Sequence, residues 1–137
     1  REAATLESLI SEGAIVREAA ARLGQEAVTM EQVLNMARAG HAPMLALLEE
    51  RGAVLGIAIA NLVNIFNPQQ IVLGGLYSNA LDLLQPTLEA TLRHYAFANL
   101  DAQVTLRAAH FGDHAGVVGS AALALEAFFY HPRNYAL

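Results

Sequence analysis

Residues 55–75 read LGIAIANLVNIFNPQQIVLGG, and the hydrophobic pattern changes twice within them. From Val54 to Phe66 apolar side chains fall on every side of a 3.6-residue period, broken mainly by Asn61 and Asn64. That pattern predicts a largely buried helix, whose two amides need partners and find them in backbone groups. Asn67-Pro68 ends the helix, because proline drives the residue before it out of the helical region. Ile71, Val72 and Leu73 then make a short apolar run closed by Gly74-Gly75. This reads as a central strand, covered on both faces and followed by a tight turn.

Downstream, residues 80–84 read as a helical turn, and Pro86 opens a new helix through Leu88 and Leu92 toward Tyr95. Val104, Leu106 and Ala108 return at period two, the mark of a second strand lying parallel to the first through a helical crossover. Residues 112–129, GDHAGVVGSAALALEAFF, supply a glycine-rich turn and a strongly apolar final helix, which Pro132 ends. Asp113 is placed to cap that helix.

Upstream, the apolar positions Leu6, Leu9, Ile10, Ile15, Val16, Ala19, Ala20 and Leu23 fit one broken helix or two consecutive ones, interrupted at Gly13. Thr29 and Gln32 form a capping-box pattern ahead of Val33, Leu34, Met36 and Ala37. This helix should stop near Gly40. Pro43 then sits in the first turn of a run that continues into the buried helix. No repeat or linker divides residues 1–137, which read as one domain of α/β class: helix-rich, with a short parallel sheet.

Composition narrows the function. The chain is 55% apolar and 15% charged, against roughly 45–50% and about 25% in average soluble domains. The surplus apolar surface has three readings: a second subunit, a missing half of the same polypeptide, or a tight core. A net charge of −5 has the wrong sign for neutralising phosphates, so no nucleic acid is expected to bind this segment. The apolar stretch from Ala53 to Ala60 is too short for a bilayer, and residues 1–12 resemble no signal peptide. With no cysteine in the chain, the expected location is the cytoplasm.

Chemistry is sparse. Two turns, residues 74–79 and 112–116, follow the ends of the two predicted parallel strands, where open α/β sheets bind ligands. Glycines there let backbone approach a flat ligand, and they also serve ordinary strand-to-helix turns. His110 and His114 have the spacing of a helical metal pair, but Gly112 between them marks a turn, so no metal site is expected. No serine–histidine–carboxylate order and no GxxxxGK(S/T) loop occurs. Catalysis by this chain alone is not expected.

The same residues resemble a family. The segment 55–75 is similar to the buried LG-x-x-LAN helix, N-P break and GG strand end of the repressor, open reading frame and kinase (ROK) family. Residues 112–125, GDHAGVVGSAALAL, resemble its closing GddAgliGAAalal block. AGHAPMLALLEERG, residues 39–52, resembles its a-GD-x-x-A helix, with His41 where aspartate is common. The resemblance implies an actin-like, ribonuclease H-like sugar-kinase fold, of which this chain is the C-terminal segment. The phosphate-binding half, the catalytic aspartate, the zinc cysteines and any DNA-binding domain are then expected upstream of Arg1.

It further implies that Glu2 hydrogen-bonds a sugar hydroxyl, and that Gly74, Gly75, Gly112, Ala115 and Gly116 flank a nucleotide pocket. ATP with magnesium, and structural zinc, are expected only in a full-length parent; this chain carries no cofactor of its own. Expected partners are a second copy, as a homodimer or higher oligomer, and a sugar shared with the missing half. The last residues, EAFFYHPRNYAL, resemble the extension of the regulators. A NagC-like sugar-sensing transcriptional regulator is therefore the first expectation, and an ATP-dependent sugar kinase the second.

Overall fold

The computed structural model describes residues 5–97 and 104–130. Thr5 caps a short helix α1, Leu6–Ile10, by accepting from the Ser8 amide. The chain breaks at Ser11, whose extended backbone (φ −64°, ψ 153°) ends α1 and whose hydroxyl caps α2, Glu12–Leu23. Two helices therefore form, and the break falls at Ser11 rather than at Gly13, because a serine that accepts from the Ala14 amide offers the better helix start. Helix α3, Met30–Arg38, begins with the full capping box: the Gln32 amide donates to Thr29 Oγ1 and the Thr29 amide to Gln32 Oε1.

Helix α4 runs without interruption from Ala42 to Phe66, with Pro43 in its first turn. It stops at Asn67, which takes the left-handed conformation (φ 42°), one that asparagine tolerates. The sequence predicted a largely buried helix over Val54 to Phe66, and the structure corrects this toward its C-terminal end. Met44, Leu47, Leu55, Ile59 and Val63 are buried, but Leu62, Ile65 and Phe66 stand open, the last two about 70% exposed. Asn61 is exposed as well. Asn64 does serve backbone, donating to Tyr95 O at 3.0 Å and accepting from the Phe97 amide at 2.8 Å.

Strand β1, Gln70–Leu73, pairs in parallel with β2, Thr105–Ala108, so that Leu73 stands beside Ala108. Among the described residues the sheet has these two strands. Val72 is 55% exposed, so β1 is covered on one face, not both. Between the strands lies α5, Leu76–Tyr95, a single helix that carries Pro86 in its interior. The predicted new start at Pro86 does not occur. Leu84, Leu88 and Leu92 on either side of it are buried in the core, and that packing holds the helix together through the missing amide; on the exposed side the Gln85 side-chain amide donates to the Glu89 carboxylate at 2.8 Å.

Helices α4 and α5 run side by side in the same direction: Gly52 lies against Leu84 and Thr87, Gly56 against Thr91, and Asn64 against Tyr95. Their contact, with α2 and α3 packed alongside, contains most of the core. After β2 a 3₁₀ turn, Gly112–His114, leads into α6, Ala115–Leu125, and a π-helical turn, Glu126–Tyr130. No residue of α6 is buried. Pro132 and its predicted stop lie outside the described residues.

Candidate functional site

Parallel pairing of β1 and β2 brings both strand ends to one edge of the sheet. From β1 the chain passes through Gly74 and Gly75 straight into α5. Gly75 has φ 57° and ψ −139°, a conformation open essentially to glycine alone. From β2 it takes a longer path, through Ala109, His110 and Phe111, before Gly112 turns at φ 49°. Ser78 Oγ donates to Gly75 O at 2.7 Å. A Cβ placed on Gly112 would lie 3.6 Å from that same hydroxyl, so the two turns are neighbours across Ser78.

The glycine residues singled out from the sequence therefore gather at one place, with one adjustment. Ala115 and Gly116 belong to the first turn of α6, not to the loop before it. Helix first turns leave backbone amides without intrahelical acceptors, so α5 begins at this edge with donors available to a ligand, whereas at the start of α6 the 3₁₀ turn engages the His114 and Ala115 amides. Added Cβ atoms on Gly74, Gly75 and Gly116 would meet nothing within 4 Å among the described residues. The edge is thus sterically open to a flat ligand. His114 is the residue before α6 and makes no side-chain cap. The Asp113 side chain and Glu2 lie outside the described residues.

Beside the first turn the structure adds a groove the sequence did not reveal. About 530 Å³ in volume, it is lined by Glu12 of α2, Met30, Glu31, Leu34, Asn35 and Arg38 of α3, and Leu76 and Asn79 of α5. Its lining mixes apolar side chains with carboxylates, amides and a guanidinium, a mixture suited to a planar polar molecule. Arg38 ties α3 to α5 beside the groove. Its Nε and Nη2 donate to the Asp82 carboxylate at 2.9 and 3.0 Å, and Nη2 also donates to Asn79 O at 2.6 Å. The Arg38 guanidinium holds the Asp82 carboxyl below the usual carboxylate range. No sequence signal marks this set, since Arg38 and Asp82 are brought together only by helix packing.

Among the described residues no group of three or more His, Cys, Asp and Glu is placed to hold a metal ion. None of the described helices is long and apolar enough to cross a membrane.

The comparisons with known proteins fit this geometry. The model of the ROK family matches residues 2–127. A glucokinase of Halalkalibacterium halodurans is 36% identical over 92 residues, 67% of this chain and 28% of that protein. The DNA-binding transcriptional repressor Mlc of Escherichia coli is 27% identical over 132 residues, 90% of this chain and 32% of the repressor. Among solved structures, a ROK family transcriptional regulator homologous to the E. coli MLC protein superposes with a TM-score of 0.70 at 26% identity, covering 76% of this chain and 28% of its own. The ROK hexokinase of Thermus thermophilus superposes at 0.68 with 28% identity, over 88% and 41%. The chain thus spans about a third or less of the curated relatives it matches.

Proposed function

The chain belongs to the ROK family, and from that premise we propose that it is the sugar-sensing and oligomerisation segment of a cytoplasmic transcriptional regulator. Its helix-rich α/β fold with a two-stranded parallel sheet is that of an actin-like, ribonuclease H-like domain, as in the ROK sugar kinases it superposes on. The observation that supports the regulator reading is the extent of sequence likeness, which runs over 90% of the chain for the repressor Mlc and 67% for the glucokinase. Superposition on solved structures orders them the other way, 76% of the chain on the regulator and 88% on the hexokinase.

The second reading is the C-terminal part of an ATP-dependent sugar kinase, and the higher identity to the glucokinase, 36%, favours it. In either case the remaining two thirds of such a parent supply the phosphate-binding half, and the sugar lies between the halves, with Glu2 on this side. The open glycine edge at Gly74, Gly75, Gly112, Ala115 and Gly116 fits the face of a nucleotide. In a kinase parent, ATP with magnesium would supply the transferred phosphoryl group. With no cysteine in this chain, a structural zinc site would have to be built from the parent's other residues.

The deciding experiment is to read the coding sequence ahead of Arg1 and assay the full-length product. A winged helix-turn-helix, with salt-sensitive operator binding by fluorescence anisotropy that a sugar alters, supports the regulator. A start at a D-x-G-x-T phosphate loop, with sugar-dependent ATP turnover, would replace it with the kinase. The isolated chain is expected to show neither activity, because it carries neither element.

A further inference from the structure

Ile10 ends α1 with a carbonyl that its own helix does not satisfy. The chain leaves the helix at Ser11, and the amide four residues on, that of Ala14, bonds to Ser11 instead. A helix leaves its last carbonyls in need of outside donors. Here the donor is the hydroxyl of Tyr77, 67 residues further along the chain. The Tyr77 ring is half-buried against the core, and burial pushes its phenol up to about 12, with the nearby Arg51 charge opposing the shift.

The two ends of this bond are placed where they matter. Tyr77 directly follows Leu76 and stands two residues beyond Gly75, in the first turn of α5. Ile10 stands two residues before Glu12. Leu76 and Glu12 line the same groove from different helices. The hydrogen bond therefore ties one wall of the groove to the other, close to the glycine turn.

We propose that Tyr77 is a positioning residue: through its bond to Ile10 it sets the separation between the α1–α2 corner and the glycine turn, and so the width of the groove between them. The functional weight of this inference rests on the reading of that edge as a ligand site, but the strut itself does not. The plain alternative is that Tyr77 is a packing residue whose ring fills space.

Tyr77→Phe separates the two, because it keeps the ring and removes only the hydroxyl. Amide hydrogen exchange by mass spectrometry, on the 137-residue chain without ligand, is the measurement. The expected result is exchange on the order of three- to tenfold faster in residues 5–12 and also in residues 74–80, the factor a single hydrogen bond carries. Exchange across Met44 to Ile59 should change less than at either wall, and the thermal midpoint should fall by only about 2–6 °C. Unaltered exchange at either wall would overturn the proposal, and so would acceleration spread through the core or loss of cooperative unfolding. Since no ligand is added, failure of the strut and failure of the ligand reading remain separate outcomes.

Discussion

A Cβ added to Gly56 would lie 2.7 Å from the Cβ of Thr91, closer than two such atoms approach in real proteins. Helices α4 and α5 therefore meet there with glycine backbone against a β-branched side chain, and the core on both sides depends on that closeness. Gly56→Ala is expected to destabilise the chain by about 1–2 kcal/mol, an overpacking cost partly offset by alanine's better helix propensity. Gly52→Ala should cost less, since its nearest neighbour is the movable end of Leu84 at 3.1 Å. Urea unfolding of both variants gives the order, and a larger loss at Gly52 would contradict it.

The capping box at α3 should carry a measurable share of that helix's stability. Thr29→Ala removes the acceptor for the Gln32 amide and is expected to cost about 1 kcal/mol. Thr29→Ser should cost only a few tenths, because it keeps the oxygen. Equal losses in the two variants, read by thermal denaturation, would show that the methyl group and not the cap matters.

His41 opens α4 without any side-chain cap, and its Nδ1 is buried with no hydrogen-bond partner among the described residues. Aspartate, common here in related sequences by the resemblance noted above, would offer an acceptor to the first-turn amides and a charge suited to the positive helix end. His41→Asp is thus expected to raise stability by about 0.5–1 kcal/mol near neutral pH. A lower unfolding midpoint in urea would refute this.

How much of this was legible in advance depended on distance along the chain. The capping box, the Asn67-Pro68 stop and the parallel strands at Ile71–Leu73 and Leu106 rest on patterns a few residues long, and each formed, although the first strand is covered on one face and not on both. Pro86 misled because the buried leucines around it, held by α4, override what proline does to an isolated helix. The exposure of Ile65, Phe66 and Val72 was illegible for another reason: apolar residues announce that something covers them, not that the cover lies within the same 137 residues. At the site, glycines signalled the two turns, whereas the groove walls from α2, α3 and α5 have no local signature. Arg38 and Asp82 are 44 residues apart and meet only in the folded chain.

Acid should weaken two ion pairs that join distant helices. Arg22 holds the Glu50 carboxyl below its ordinary 4.5, and Arg38 holds Asp82 below its ordinary 3.8, in both cases chiefly through direct hydrogen bonds. A carboxyl whose folded pKa is lowered contributes stability above its unfolded value and loses it as pH falls through the folded one. Stability should therefore decline below about pH 4.5. Both pairs are largely exposed, so the decline is modest and shrinks in high salt. Asp82→Asn should flatten part of the acid limb in urea titrations at pH 6 and pH 3. An acid limb identical to wild type would remove Asp82 from the account.

Self-association follows from what α6 leaves uncovered. None of its residues is buried, yet Val117, Leu123 and Leu125, with Phe128 and Phe129 beyond, are apolar and at least half exposed. Ile65 and Phe66 at the end of α4 add to that exposed surface. An apolar helix of this kind is stable in water only against another surface. A second copy offers one, and two-fold pairing lets a single patch meet itself. The remainder of a longer parent offers another, and the two differ in how the isolated chain behaves. Sedimentation equilibrium over a wide concentration range should give a clean dimer if a symmetric interface dominates, and polydisperse aggregates if the surface belongs against other parts of one polypeptide. Replacing Phe128 and Phe129 by serine should weaken dimerisation at least tenfold while leaving the unfolding transition in place, because neither side chain contributes to the buried core. A wild-type chain that stays monomeric at high concentration would contradict the prediction, and so would a double variant that dimerises as tightly as its parent.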